Sequence, residues 1–137
     1  MVQGFNHLDK ADTYQVHRSL RDADPLDYDA LVLRGGVANA DEIRTVPAAV
    51  TFAQRIFEMG KPAAIICHEP WLLVEADLVR GRTLTSWPSL KTDIRNAGGT
   101  WVDAEVHVCK SGPNTIVTSR KPDDLPTFCE QLVKEFQ

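Results

Sequence analysis

Two short apolar segments, each ended abruptly by turn or helix-start residues, limit most strongly how this chain can fold. Residues 28–33 read YDALVL before Gly35 and Gly36, and residues 63–67 read AAIIC shortly before Pro70. Apolar runs of this length without polar alternation are typical of parallel strands that helices cover on both faces. The two segments therefore predict a parallel sheet whose strand ends share one edge.

Helical patterns separate these strands and follow them. Asn39, with Glu42 three residues later, predicts a capping box that begins one helix. Apolar stripes, with proline at the start or glycine at the end, predict further helices over residues 47–59, 70–79, 88–97 and 122–136. Shorter strands are predicted over residues 82–85, 101–108 and 115–119, the last two as a hairpin. Strands that alternate with helices predict an α/β layered fold.

The chain is interpreted as one domain over residues 1–137, with an irregular segment at 1–27 and an α/β core at 28–137. It is 43% apolar and 25% charged, which is typical of a soluble globular domain. Its net charge of −4 comes without a basic stripe, which argues against nucleic acid or a membrane surface as the partner. We find no membrane-spanning run and no secretory signal pattern, so we expect a cytoplasmic protein.

The cysteines and histidines do not form a metal-site pattern. Cys67, Cys109 and Cys129 are widely spaced, without a C-x-x-C pair, and we expect three free thiols. Cys109 and Cys129 are expected to pack in the core. No metal and no organic cofactor is predicted, and His7, His17 and His107 are assigned no role.

Cys67 is the candidate for chemistry because it lies where the second apolar strand ends and a helix begins. Ligands of open α/β sheets bind at the carboxyl ends of strands, where the Gly36 turn also lies. A thiol at a helix N-terminus is expected to have a lowered pKa, which predicts a thiolate near neutral pH. The backbone N–H groups of Gly36 and His68 are predicted to form an oxyanion hole. The alternative interpretation is a buried core thiol.

The segments DYDALVLRGG, GKPAAIICHEPWLLVEADLVRGRTLTSWPSLKTDIRNAGGTWVDAEV and TSRKPDDLPTFCEQL resemble the PfpI family of cysteine peptidase/amidase-like proteins. This family lies within the ThiJ/PfpI part of the class I glutamine amidotransferase-like superfamily. The resemblance implies a flavodoxin-like three-layer sandwich in which the cysteine of an Ala-Ile-Cys-His-Gly-Pro motif occupies a nucleophile elbow. It implies that Cys67 is the nucleophile, that His68 assists proton transfer, and that Asp41, or next to it Glu42, contributes an acid from a partner subunit.

The same resemblance implies a cofactor-free reaction linked to stress protection. The implied substrate is either a peptide or amide, or a small-molecule carbonyl compound in a glyoxalase or deglycase reaction. Two functions of another class stay open, a non-catalytic stress-associated assembly subunit and a thiol redox sensor. A truncated, inactive domain is the third alternative.

The chain departs from the family pattern at its beginning. Family members start with a strand, a helix and a second strand, and this opening supplies a glutamic acid that bonds the catalytic thiol. We find no counterpart here and expect an N-terminally shortened sandwich. The strand at residues 30–33 then has an unpaired apolar edge, so we expect a homo-oligomer formed through that edge.

Two further departures lie beside the predicted nucleophile. Glu69 replaces the motif glycine, and three interpretations stay open: a proton acceptor, a charge that raises the thiol pKa, or a helix-start acid that faces solvent. Arg34 replaces the proline of a Pro-Gly-Gly turn. It either shifts that turn or lines the pocket as an anion contact.

Overall fold

The computed structural model describes residues 1–6 and 8–137 and has a mixed α/β architecture. The strands are β1 Val2–Asn6, β2 Asp9–Tyr14, β3 Leu31–Leu33, β4 Ala63–Ile66, β5 Thr83–Leu84, β6 Thr100–Trp101, β7 His107–Cys109 and β8 Ile116–Ser119. The helices are α1 Val37–Ile43, α2 Pro47–Glu58, α3 Pro70–Glu75, α4 Lys91–Asn96 and α5 Leu125–Glu135. His7 lies outside the described residues.

The central sheet has four strands in the order β3-β4-β8-β7. The first three strands are parallel, with Leu31 opposite Ala63 and Ala63 opposite Ile116, and β7 runs antiparallel to β8. The strand β4 lies inside the sheet, and all of its residues are buried. The α/β fold with a mostly parallel sheet, predicted from the two apolar segments, is confirmed.

Alternate residues of β4 enter two separate cores, one on each face of the sheet. Ala63 and Ile65 pack in the core that contains buried residues of α2 and α3. Ala64 and Ile66 pack in the smaller core that contains Phe128 of α5. Because successive strand side chains point to opposite faces, this division shows a sheet with helices on both sides.

The chain before the central sheet differs from the irregular segment predicted for residues 1–27. The strands β1 and β2 pair as an antiparallel hairpin, with a bulge between Gln3 and Phe5. Nearly every described residue of the hairpin is exposed. A strand without a buried face carries no apolar alternation, so the pattern that usually indicates a strand is absent here.

Three predicted boundaries are wrong. The helix α1 begins at Val37 after Gly36, so Asn39 lies inside the helix and forms no capping box. The helix α3 ends at Glu75 rather than near residue 79. The alternating run 101–108 divides, since Trp101 pairs with β5 and only residues 107–109 pair with β8.

The three cysteines are free thiols, as predicted, but only two of them are buried. Cys129 is exposed on α5, so its predicted role as a core packing residue is wrong. Cys109 is buried at the end of β7 and contacts a buried arginine, Arg82, of which 3% is exposed. Over the described ranges, no helix combines the length and the apolar content of a membrane span.

The Arg82 guanidinium is held by β7 and by the turn that follows it. Its Nε lies 3.4 Å from Cys109 Sγ, and its two terminal nitrogens donate to the carbonyl of Cys109 and to both oxygens of Asn114. No carboxylate of the described chain forms an ion pair with it. An arginine stays charged when buried, and among the groups that contact Arg82 only the Cys109 thiol can ionise.

We expect the Arg82–Cys109 pair to make stability depend on pH. Burial alone raises the pKa of Cys109, but hydrogen bonds from Arg82, Ser111 and the backbone outweigh it and lower the pKa to about 7. A lowered pKa stabilises the fold fully above the unfolded value of about 8.5, and this contribution is lost as pH falls through about 7. As pH rises from about 7 to about 8.5, the free energy of unfolding of the wild type should therefore increasingly exceed that of Cys109→Ser. The difference should reach about 1–2 kcal/mol.

Urea unfolding at several pH values measures this difference. Cys109→Asp carries a permanent negative charge and should keep the wild-type stability at neutral pH without the pH-dependent rise. Cys129→Ser removes an exposed thiol and is the matched control. A constant difference between wild type and Cys109→Ser at all pH values would show that Cys109 is neutral in the folded protein.

The unpaired edge of the central sheet at β3 leads to a second prediction, which concerns self-association. In the described part of the chain β3 pairs only with β4, and the Val32 side chain on it is 47% exposed. A lysine on an edge strand opposes pairing with another chain. Val32→Lys should therefore weaken any concentration-dependent association in sedimentation, whereas Val133→Lys on the exposed part of α5 should not. A wild type that sediments as a monomer at all concentrations would contradict self-association.

Candidate active site

Cys67 occupies a sharp, strained turn at the carboxyl end of β4. Its φ of 68° lies in the left-handed region, which non-glycine residues rarely adopt. Its backbone N–H donates to the carbonyl of Ser119 on β8 at 3.0 Å, and its carbonyl accepts from the N–H of Trp87 at 2.9 Å. These two bonds hold the turn from both sides, so the strain is maintained by the surrounding structure.

The turn between β3 and α1 approaches the cysteine closely. A Cβ atom built on Gly35 would lie 2.8 Å from Cys67 Cβ and 3.6 Å from Sγ, so this approach requires a glycine. The next residue, Gly36, has a φ of 119° and precedes α1. Burial raises the pKa of Cys67, and the backbone N–H groups of Gly36 and His68 oppose that rise. The two amides predicted to form an oxyanion hole thus both act on this sulfur.

The His68 imidazole lies beside the thiol. Its Nδ1 is 3.2 Å from Cys67 Sγ, a contact that depends on the bend at Cys67 because the two residues are adjacent in sequence. The ring stacks on Trp87 at 5.4 Å between centroids and meets Trp71 edge-on, also at 5.4 Å. Burial lowers the pKa of His68, so the ring is neutral near neutral pH and able to accept the thiol proton. No local pattern predicts that the two tryptophans flank His68, because Trp87 is distant in sequence.

The thiol itself does not have the lowered pKa expected at a helix N-terminus. Burial raises the pKa of Cys67, the amides of Gly36 and His68 oppose this rise, and the negative charge of Glu69 adds to it. Only 9% of Cys67 is exposed, and α3 is six residues long and begins three residues later. Burial therefore outweighs the helix N-terminus, and the resting group is a thiol.

Glu69 is fully buried, so its interpretation as a solvent-facing helix-start acid is wrong. Its Oε1 accepts a hydrogen bond from Asn39 Nδ2 on α1 at 2.5 Å. Burial raises the pKa of Glu69 to about 7, and the Asn39 bond opposes that rise. Sequence analysis assigned Asn39 to a helix cap, and no local signal indicated a partner thirty positions away.

The other predicted site residues do not contact the thiol. Asp41 and Glu42 are exposed on α1 and form no side-chain hydrogen bond within the described residues. The predicted action of Asp41 from a partner subunit stays a prediction. Arg34 is exposed, and its guanidinium lies 5.7 Å from the ring centroid of Tyr14 on β2, so it contacts the hairpin.

An open groove of about 440 Å³ lies next to the site, with Trp71 as its nearest wall. The Trp71 indole N–H donates to Asp93 at 3.0 Å, and the Arg44 guanidinium lies 5.6 Å from the indole centroid. Cys67 is not among the residues that line the groove. The remaining lining residues are Val74, Asp77, Arg80, Asn96 and Ala97.

Comparison with known proteins identifies the family of the chain. The family model described as the DJ-1/PfpI family matches residues 2–135. Deglycase PYRAB04690 of Pyrococcus abyssi is 43% identical over 122 residues, which is 89% of this chain and 70% of that protein. Putative cysteine protease YraA of Bacillus subtilis is 39% identical over 114 residues, which is 83% of this chain and 64% of that protein.

Among solved structures, a two-domain protein from Anabaena variabilis contains dj-1/thij/pfpi-like and ferritin-like domains. It is similar to this chain with a TM-score of 0.77 and 35% identity. The similarity covers 84% of this chain and 33% of that one. The chain thus matches one part of that longer protein in both sequence and fold.

The raised pKa of Cys67 predicts slow alkylation near neutral pH. Iodoacetamide reacts with the thiolate, so labelling of Cys67 should rise only above the free-cysteine value of about 8.5. Site-resolved mass spectrometry over a series of pH values measures this, with the exposed Cys129 as the internal reference. Labelling of Cys67 that is half complete well below that value would show that the helix N-terminus outweighs burial.

Proposed function

Because this chain belongs to the DJ-1/PfpI family, we propose that it is a cysteine-dependent hydrolase of the deglycase type, with Cys67 as its nucleophile. The observation that carries the proposal is the 3.2 Å contact of His68 Nδ1 with the Cys67 sulfur at a strained turn, where the amides of Gly36 and His68 oppose the rise in thiol pKa that burial causes. A strained turn that presents a nucleophile to positioned donors is typical of acyl-transfer sites. The chain spans 70% and 64% of the two relatives described above, so the activity of a whole relative is itself a proposal.

The proposed reaction begins from a neutral thiol and a neutral imidazole. As Sγ bonds to the carbonyl carbon of the substrate, the thiol proton moves to His68 Nδ1 and the carbonyl π electrons move to the oxygen. The N–H groups of Gly36 and His68 then stabilise the oxyanion. With an amide, the imidazolium returns the proton to the departing nitrogen as its bond to carbon breaks, and water hydrolyses the acyl-enzyme. With an α-oxo aldehyde no group leaves: the imidazolium protonates the oxyanion, and His68 then transfers the C–H proton of the hemithioacetal through an enediol to the neighbouring carbonyl carbon, which gives a 2-hydroxyacyl thioester that water hydrolyses. An amine adduct enters the same sequence once it has released its amine and the free aldehyde.

The narrow access to the sulfur favours a small carbonyl compound over a peptide. Cys67 is 9% exposed, and the adjacent groove does not reach it. A peptidase needs a cleft in which an extended chain passes the nucleophile. The relative named putative cysteine protease keeps the peptidase or amidase reaction as the second candidate.

The alternative of a thiol redox sensor receives less support. Peroxide oxidises the thiolate to sulfenic acid, and the raised pKa of Cys67 keeps that form scarce near neutral pH. An enzyme with an adjacent base does not need a resting thiolate, because the proton leaves during the attack.

Asp41 takes part in this proposal only through a second copy of the chain, as a carboxylate that orients His68. The link to stress protection remains an expectation of the family resemblance.

Activity assays on three substrates test the proposal. Methylglyoxal, an amino acid glycated with methylglyoxal and a fluorogenic peptide are compared in the wild type, Cys67→Ser, His68→Ala and Cys129→Ser. We expect turnover of the carbonyl substrates, loss of it in Cys67→Ser, a decrease of about 10²–10⁴-fold in His68→Ala, and no change in Cys129→Ser.

Each other outcome selects a different function. Cleavage of the peptide alone would favour the peptidase candidate. Equal turnover by Cys67→Ser and the wild type would contradict Cys67 as the nucleophile. No turnover of any substrate would favour a non-catalytic subunit or an inactive domain.

A further inference from the structure

The Glu69 carboxyl is a buried ionisable group that the proposed reaction does not use. None of its surface is exposed, and it lies two residues after Cys67 and directly before α3. Its Oε1 is bonded to Asn39, while its Oε2 is buried and has no hydrogen-bond partner within the described residues. A buried carboxylate usually receives several donors or a cation, so this one is unusually poorly compensated.

The groups around this carboxyl do not neutralise it. On α1 the neighbour is the amide of Asn39, and at the elbow the ionisable neighbours are Cys67 and His68. The nearby guanidinium that joins α1 to α3, Arg44, is paired with Glu75 at 3.4 Å and lies over Trp71. No cation of the described chain forms an ion pair with Glu69. Its charge acts on the nearby thiol, whose pKa it raises further after burial has raised it.

Asn39 and Glu69 also connect the two elements that form the site. Asn39 lies in the first turn of α1, three residues after Gly36. Glu69 follows the elbow at Cys67 and lies directly before α3. Their hydrogen bond thus fixes the α1 turn against the elbow, whether the carboxyl is charged or neutral.

We propose that Glu69 is a positioning residue with a second effect, a protonation switch that sets how readily Cys67 loses its proton. When Glu69 is charged, its field holds the thiol protonated; when Glu69 is neutral, the field is absent and the Asn39 bond still positions the α1 turn. The inference rests on the proposed role of Cys67 as the nucleophile. It adds pH-dependent control of the reactivity of the Cys67 thiol to that site.

The coupling between the two groups is reciprocal. If a charged Glu69 opposes ionisation of Cys67, an ionised Cys67 opposes ionisation of Glu69 to the same extent. The pair therefore titrates as a unit, with Glu69 changing charge near neutral pH, since its pKa is about 7. The reactivity of Cys67 should rise less steeply with pH above that point than the reactivity of an isolated thiol.

Alkylation of Cys67 tests the switch without any turnover. The rate of iodoacetamide labelling is measured by site-resolved mass spectrometry over a range of pH in the wild type, Glu69→Gln and Glu75→Gln. Glutamine at position 69 keeps an oxygen that accepts from Asn39 but carries no charge. Glu75→Gln removes a half-exposed carboxylate from the same short helix and is the matched control.

We expect Glu69→Gln to label Cys67 about 3–10-fold faster than the wild type at about pH 8, on a simple one-proton profile. The wild type and Glu75→Gln should share a flatter profile with an inflection near neutral pH. Equal profiles for Glu69→Gln and the wild type would overturn the proposal. A change of the same size in Glu75→Gln would overturn it as well, since any nearby carboxylate would then suffice.

Asn39→Ala gives an independent second measurement. The Asn39 bond lowers the pKa of Glu69, so its loss should move the inflection of the Cys67 profile to higher pH. An inflection that does not move would contradict the assignment to Glu69. Because labelling needs no substrate, an enzyme without turnover that still shows these profiles would refute the proposed function and leave the switch intact.

Discussion

The left-handed conformation of Cys67 is the constraint on which the rest of the site depends. Such a conformation costs a non-glycine residue about 1–2 kcal/mol, so the chain must hold it in place. The N–H of Cys67 bonded to Ser119 and its carbonyl bonded to Trp87 supply this restraint. The same bend turns the sulfur toward His68 and toward the Gly36 amide. The strain and the chemistry therefore have one cause.

Polar residues at the carboxyl ends of the strands support that bend. The backbone N–H of Thr85 donates to the hydroxyl of Thr118 at 3.0 Å, and the hydroxyl of Ser119 donates to the carbonyl of Glu105 at 2.7 Å. The Thr118 and Ser119 side chains are fully buried and hydrogen-bonded, whereas the buried Thr85 hydroxyl has no hydrogen-bond partner within the described residues. A buried polar group is tolerated when it is hydrogen-bonded, and each such bond contributes about 1 kcal/mol. The sheet thus changes from an apolar interior at β4 to a bonded polar end at the site.

Features that depend on neighbouring residues in sequence were predictable. The apolar run 63–67 predicted β4 and the position of Cys67, because a short continuous run has few other structures available to it. The stripe on α2 was predictable because Ala49, Ala53 and Ile56 recur at helical spacing, and all three are buried. The motif placed His68 and the Gly36 turn at one strand edge, and the structure brings both to the sulfur.

Features that depend on burial or on distant partners were not predictable. The lowered pKa predicted for Cys67 was wrong because burial is a tertiary property that the local sequence does not show. The helix N-terminus, by contrast, can be recognised from the local sequence. The spacing of Asn39 and Glu42 predicted a helix cap, but the Asn39 side chain donates to Glu69, which lies directly before a different helix. The contact of Arg82, which directly precedes β5, with Cys109 of β7 also joins residues that are distant in sequence. No sequence period indicates such pairs.

Taken together, the ionisable groups at the site imply that its charge is created during the reaction rather than stored before it. A raised pKa at Cys67 and a lowered pKa at His68 leave both groups neutral at rest. Forming the thiolate and imidazolium together costs desolvation energy in this buried turn. The amides of Gly36 and His68 offset part of that cost as negative charge develops, first on the sulfur and then on the substrate oxygen, which is the condition for lowering a barrier rather than binding a ground state. Burial is the main source of that cost, and the charge on Glu69 adds to it.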